Sequence, residues 1–187
     1  MQHKATLVWS KPFSFEELLT DKDLQVEYGC AGVYLWMEPD PNAERIFYIG
    51  KTEGKPTLWA RQMQHYAYYA GGVYHIPAKY RVAGEDWIPN IFPKNAEYVL
   101  DEEKMTSLVK EGMRFAKQLT IYFATVDDAD KKKIKTIERE LLYALKPSGT
   151  KWGTNTPPGT RIEILHKNAT WYRPEFVPPN QEINLLD

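Results

Sequence analysis

Hydrophobic and polar positions follow a few distinct rhythms along the chain, and each rhythm predicts an element. Residues 32–36 (GVYLW) and 45–49 (RIFYI) are short runs rich in β-branched and aromatic side chains, which suit a half-buried pleated surface. The intervening MEPDPNAE carries prolines and Asn42, so the pair predicts an antiparallel hairpin. Residues 57–70 place apolar side chains at 58, 59, 63 and 66 and run into Gly71-Gly72, a helix with a glycine stop. Residues 101–117 repeat the helical spacing through Met105, Leu108, Val109 and Ala116, with acidic residues at the start. LTIYFATV, residues 119–126, predicts a buried strand, and the DDAD after it caps a helix over 131–146 that ends at Pro147, Ser148 and Gly149. RIEILHK predicts a late strand. Residues 1–28 read as an irregular lead-in with one short helix, capped by Ser14 and acidic in its first turn.

These elements predict an α+β fold: a small antiparallel sheet of about three strands flanked by helices. The 187 residues suit a single domain spanning 1–187. Within it, 1–28 is the lead-in, 71–118 an insertion and 148–187 a C-terminal extension. The insertion holds seven acidic and seven basic residues, so it is no obvious phosphate clamp. With 43% hydrophobic and 26% charged residues the composition is that of a globular protein. A net charge of −1 argues against a surface built for indiscriminate phosphate binding, although it says nothing about a local cleft. Cys30 is the only cysteine, which excludes an intrachain disulfide. The chain shows no signal-peptide pattern and no run of about 18 apolar residues, so the expectation is a cytoplasmic protein without a membrane partner.

One carboxylate breaks the pattern of the 131–146 helix. At about 100° per residue, Ile134, Ile137, Leu141, Leu142 and Leu145 form a compact apolar arc, with Glu138 inside it at roughly 40° from Ile134. Glu140 falls at roughly 240°, on the polar side. A carboxylate among apolar side chains needs a compensating partner. An ion pair with a basic residue of the 57–70 helix and a functional role both meet that need. On that earlier helix, Arg61 and His65 are four residues apart and share a face. Gly50-Lys51-Thr52 lacks the upstream glycine of a phosphate-binding P-loop. His3, His75 and His166 have no metal-ligand spacing and read as isolated surface residues.

The order of these features resembles the GIY-YIG nuclease family. Gly32-Val33-Tyr34 matches the first signature with valine for isoleucine, and Tyr48-Ile49-Gly50 matches the second. The resemblance covers residues 32–66 and 119–147, less than half of the chain. It implies that Tyr34, Tyr48, Arg61, His65 and Glu138 are catalytic, and that Lys51 and Asn155, the first asparagine after Pro147, bind substrate. Glu138 would also be the metal ligand, holding Mg2+ or another divalent cation such as Mn2+, a hard ion that keeps several waters and needs few carboxylates. Arg61 would bind the scissile phosphate with its planar fork of donors. Tyr34 and Tyr48 would position or deprotonate the attacking water, the latter only if positive charge lowers the phenol pKa from about 10. His65 would relay a proton or hold phosphate.

The function so implied is a metal-dependent endonuclease (a phosphodiester hydrolase) acting on DNA, with a restriction-type enzyme as one form. Two cuts in a duplex favour a homodimer in that case. The competing expectation is a non-catalytic nucleic-acid-binding or protein-interaction module on the same fold.

Overall fold

The computed structural model describes residues 3–38, 45–71, 102–126, 130–149, 157–172 and 183–186. Its strands are β1 (His3–Trp9), β2 (Gly32–Glu38), β3 (Arg45–Thr52), β4 (Thr120–Val126), β5 (Ile162–Lys167) and β6 (Asn184–Leu186). They form one mixed sheet in the order β3-β2-β4-β1-β5-β6. The fold is α+β as expected, but the expected sheet of about three antiparallel strands is incorrect. Only the β3-β2-β4-β1 part is antiparallel, while β1 pairs with β5, and β5 with β6, in parallel.

The difference arises at the two ends of the chain. The lead-in is not irregular: HKATLVW alternates, burying Ala5, Leu7 and Trp9 while Lys4, Thr6 and Val8 are more exposed, the period of a strand with one face on the core. The C-terminal extension supplies the partner, with Ala5 opposite Ile164 and Leu7 opposite His166. His166 is consequently no surface residue. It is buried and accepts a 3.1 Å hydrogen bond from the Trp9 indole Nε1 at its Nδ1.

Among the described residues five helices accompany the sheet: α1 (Phe15–Thr20), α2 (Lys22–Glu27), α3 (Leu58–Ala70), α4 (Glu102–Ala116) and α5 (Lys131–Leu145). Alternation along β2 divides the core in two. Val33, Leu35 and Met37 pack with Ile134, Ile137, Leu141, Leu142 and Leu145 of α5. Tyr34 and Trp36 point the other way, among Phe15 and Leu18 of α1, Leu24 of α2, Leu58 and Tyr69 of α3 and Phe115 of α4. None of the helices among the described residues is long and apolar enough to cross a membrane.

Local chemistry fixes where α1, α3 and α5 begin. Ser14 and Glu17 form a reciprocal capping box at α1. The Thr57 hydroxyl accepts from Ala60 N at the start of α3, and two further amides there are satisfied by the preceding chain: Leu58 N donates to Cys30 O at 2.8 Å and Trp59 N to Tyr28 O at 3.1 Å. Asp130 caps α5 through Lys133 N. In α4, a β-carbon on Gly112 would stand 2.2 Å from the Tyr69 carbonyl oxygen, so glycine is what lets α4 lie against α3.

Candidate active site

Strand β3 is an edge of the sheet, with α3 on one face and α5 on the other. Its pairing with β2 is interrupted: Trp36 faces Tyr48, but Met37 faces Ile46, leaving Phe47 as an extra residue. This bulge places Phe47 and Tyr48 on the same side, with the α3 core, while Ile46 and Ile49 pack on the α5 side. Bulges commonly re-aim a side chain in this way. The chain after α5 is fastened to the same point, because Ser148 N donates to Ile46 O at 2.9 Å and Gly149 N to Phe47 O at 2.7 Å. Ser148 Oγ also donates to the buried carboxylate of Glu38. The helix carrying Glu138 is thus anchored to the strand carrying Tyr48.

On α3 the buried positions are Leu58, Gln62, His65 and Tyr69, spaced to form one stripe. His65 is 2% exposed and lies 2.7 Å, Nε2 to Oη, from the Tyr34 hydroxyl. Tyr34 in turn hydrogen-bonds to Tyr48. Trp36 forms the wall behind them, with its ring centroid 4.8 Å from that of His65 and 5.0 Å from that of Tyr48. Gln62, fully buried, holds that wall by accepting from Trp36 Nε1 at 2.8 Å. Opposite Tyr34 in the ladder is Gly50, where a β-carbon would stand 2.4 Å from the Tyr34 hydroxyl oxygen. The glycine of YIG is therefore the space into which the tyrosine of GVY fits.

Burial controls the protonation of this set. It pushes the His65 pKa down to about 3, aided by the nearby Arg61 charge, so the imidazole is neutral at physiological pH. Burial also raises the Tyr48 pKa above its ordinary value, and the Glu138 charge adds to the rise. Arg61, the hydrogen bond from Tyr34 and Lys51 act in the opposite direction but do not outweigh them. Tyr48 therefore remains a phenol, and the lowered pKa that deprotonating a water would require is not found.

Glu138 projects from α5, half-buried, and burial raises its carboxyl above the ordinary range. The charges of Lys51, Arg139 and Lys135 favour its ionised form and Glu53 disfavours it. No ion pair or hydrogen bond joins it to another described residue. Lys51 is instead paired with Glu53 at 2.7 Å. Arg61 is half-buried and donates through Nη1 to Gln64 Oε1 at 3.1 Å. The structure thus brings Tyr34, Tyr48, Lys51, Arg61, His65 and Glu138 around one end of β3. Asn155 lies outside the described residues.

The helical-arc reading of the two glutamates is half correct. Glu140 is 5% exposed, more buried than Glu138, and its Oε1 accepts from Arg161 Nε at 2.7 Å and from the Ile162 amide at 3.2 Å. It joins α5 to β5, whose approach widens the buried face beyond the apolar arc. Sequence reasoning passed over Gln62, Trp36 and Glu53. The stripe 58, 62, 65, 69 was the available signal for Gln62, whereas Glu53 carried none. Among the described residues no three His, Cys, Asp or Glu side chains converge as a metal cage.

The chain matches no protein-family model, no curated protein and no solved structure.

Proposed function

We propose that this protein is a metal-dependent endonuclease that hydrolyses phosphodiester bonds of DNA at the β3 edge. The observation that carries the reading is Glu138: a half-buried carboxylate without a hydrogen bond or ion pair among the described residues, whose charge acts on the Tyr48 phenol and which lies within the field of several cations. Burying such a group is unfavourable unless something else binds it. A structural ion pair with an α3 base, the competing explanation, is not what supports Glu138 here.

A single divalent cation held by Glu138 fits this donor set better than a multi-carboxylate site, because Mg2+ takes oxygen ligands and retains water. When bound, such an ion supplies charge neutralisation at the phosphate and a more acidic water. The remaining roles belong to the chain's own groups. Arg61 binds the phosphate and offsets the charge that accumulates on its oxygens in the transition state. Neutral His65, with its proton on Nε2, donates to the Tyr34 oxygen; Tyr34 donates to Tyr48. That chain fixes the Tyr48 phenol, which orients the attacking water as a hydrogen-bonding group and does not act as an ionised base. The water oxygen forms the new P–O bond as the bond to the departing ester oxygen breaks; the water's proton passes to solvent, and the departing oxygen takes up a proton from solvent.

Purified protein incubated with supercoiled plasmid, with and without Mg2+, tests the reading. Divalent-dependent nicking or linearisation is expected. Binding of DNA with no cleavage under either Mg2+ or Mn2+ would assign the protein to the non-catalytic alternative. Direct appearance of linear product, ahead of nicked circles, would support a restriction-type homodimer.

A further inference from the structure

The lysines of KKKIK divide between two sides of α5. Lys132 and Lys133 line a cavity of about 480 Å³ with Lys4, Asp130, Thr136, Thr160 and Ile162. Lys131 and Lys135, one turn apart on α5, are not among that lining, and their charges act on Glu53, which also receives the direct 2.7 Å ion pair from Lys51. One lysine of β3 is thus paired with Glu53, and the charges of two lysines on successive turns of α5 reach the same carboxylate. Glu53 stands on the loop after β3, only partly covered, with its side chain 33% exposed. Lys135 acts on Glu138 as well, so this position adjoins the site described above.

We propose that Lys51, Lys131 and Lys135 form a subsite for a DNA phosphate neighbouring the cleaved bond, and that the Glu53 carboxylate occupies it until substrate displaces it. The inference rests on the nuclease reading. Two lysines four residues apart on a helix stand about 6 Å apart along its axis, within reach of one strand's phosphates, which follow one another at about 3.4 Å of rise. Glu53 can leave because its ion pair is solvent-accessible, and such pairs are weak. An internal anion here keeps a cationic patch from gathering unrelated polyanions while leaving it open to a phosphate positioned by Arg61.

The test measures equilibrium binding of a labelled duplex oligonucleotide in EDTA, between about 50 and 200 mM salt. Thermal melts establish that each variant is folded. Glu53→Gln is expected to tighten binding by about twofold to fivefold, the scale of an exposed ion pair that no longer has to break. Lys131→Gln/Lys135→Gln should weaken binding, flatten the log-log salt slope by about 0.9 for one lost phosphate, and erase the gain from Glu53→Gln. Lys132→Gln/Lys133→Gln, the same charge change on the cavity side of α5, should do neither.

Weaker binding by Glu53→Gln, an unchanged slope in the Lys131/Lys135 variant, or an equal effect of Lys132→Gln/Lys133→Gln would overturn the subsite while plasmid cleavage still upheld the nuclease. A wild-type protein that neither binds the duplex nor cleaves plasmid would overturn both.

Discussion

Two glutamates two residues apart on α5 show how differently one side-chain type is used. Glu138 has no direct partner among the described residues, while Glu140 joins its helix to Arg161 and to the amide of Ile162. Glu138→Gln should therefore abolish Mg2+-dependent cleavage and leave the melting temperature near that of the wild type. Glu140→Ala should instead cost about 1 to 3 kcal/mol of stability, the range for leaving a buried donor unsatisfied, as denaturant titration would show. The reverse pattern would transfer the functional role to Glu140. The same logic applies to Tyr48, whose ring packs on Trp36 and whose hydroxyl is aligned by Tyr34. Tyr48→Phe keeps the ring, so cleavage should fall by about 10² to 10³, the range for removing one positioned hydrogen-bonding group at a reacting centre, with little change in melting. Turnover near wild type would make Tyr48 a packing residue.

At the scale of elements, the hairpin, the strand 120–126 and both site-bearing helices were legible because each carries its own period and caps. Glu138 was legible for the same reason: its anomaly lies within one helix. Glu140 was not, since the strand that buries it comes from residues 162–167 and a helical wheel sees only its own turn. The sixfold sheet was hidden likewise. HKATLVW alternates clearly, but its parallel partner lies more than 150 residues away, and nothing local announces a parallel neighbour. The bulge at Phe47 had no sequence mark either, although it decides which core Tyr48 faces. Gly50 connects the two strands of the site, so Gly50→Ala should push the Tyr34 hydroxyl from His65. An overpacked core position costs about 1 to 3 kcal/mol. Cleavage should fall along with stability, and a variant with normal melting and normal turnover would show that the strands simply spread.

Over the whole molecule, an overall charge of −1 conceals local concentration. The charges of Lys51, Lys131, Lys135 and Arg139 act on Glu53 or Glu138, and that of Arg61 acts on Tyr48, so a local concentration of cations needs no basic protein. Burial of histidine has a second global consequence, in the response to acid. His65 and His166 lie on opposite sides of the sheet's ends, and burial lowers their pKa values to about 3 and about 4 from the ordinary 6.5. A histidine with a depressed native pKa takes up its proton first in the unfolded chain. Its favourable contribution is complete above pH 6.5 and declines as the pH falls towards the native value. Between pH 6.5 and about 4 both histidines act, each with a limiting slope of about 1.4 kcal/mol per pH unit. Below about 4 only His65 continues, to about 3. Glu17, whose pKa is lowered by its capping hydrogen bonds, adds to the acid loss below its ordinary 4.5, whereas the raised Glu138 opposes it just above 4.5. Denaturant unfolding at a series of pH values should therefore show stability falling steeply from pH 6.5 downward. His166→Asn retains an acceptor for the Trp9 indole but removes the titration. Its profile should be flatter between pH 4 and 6.5 by up to about 1.4 kcal/mol per unit; a slope equal to that of the wild type would show that His166 is already accessible to protons in the folded protein.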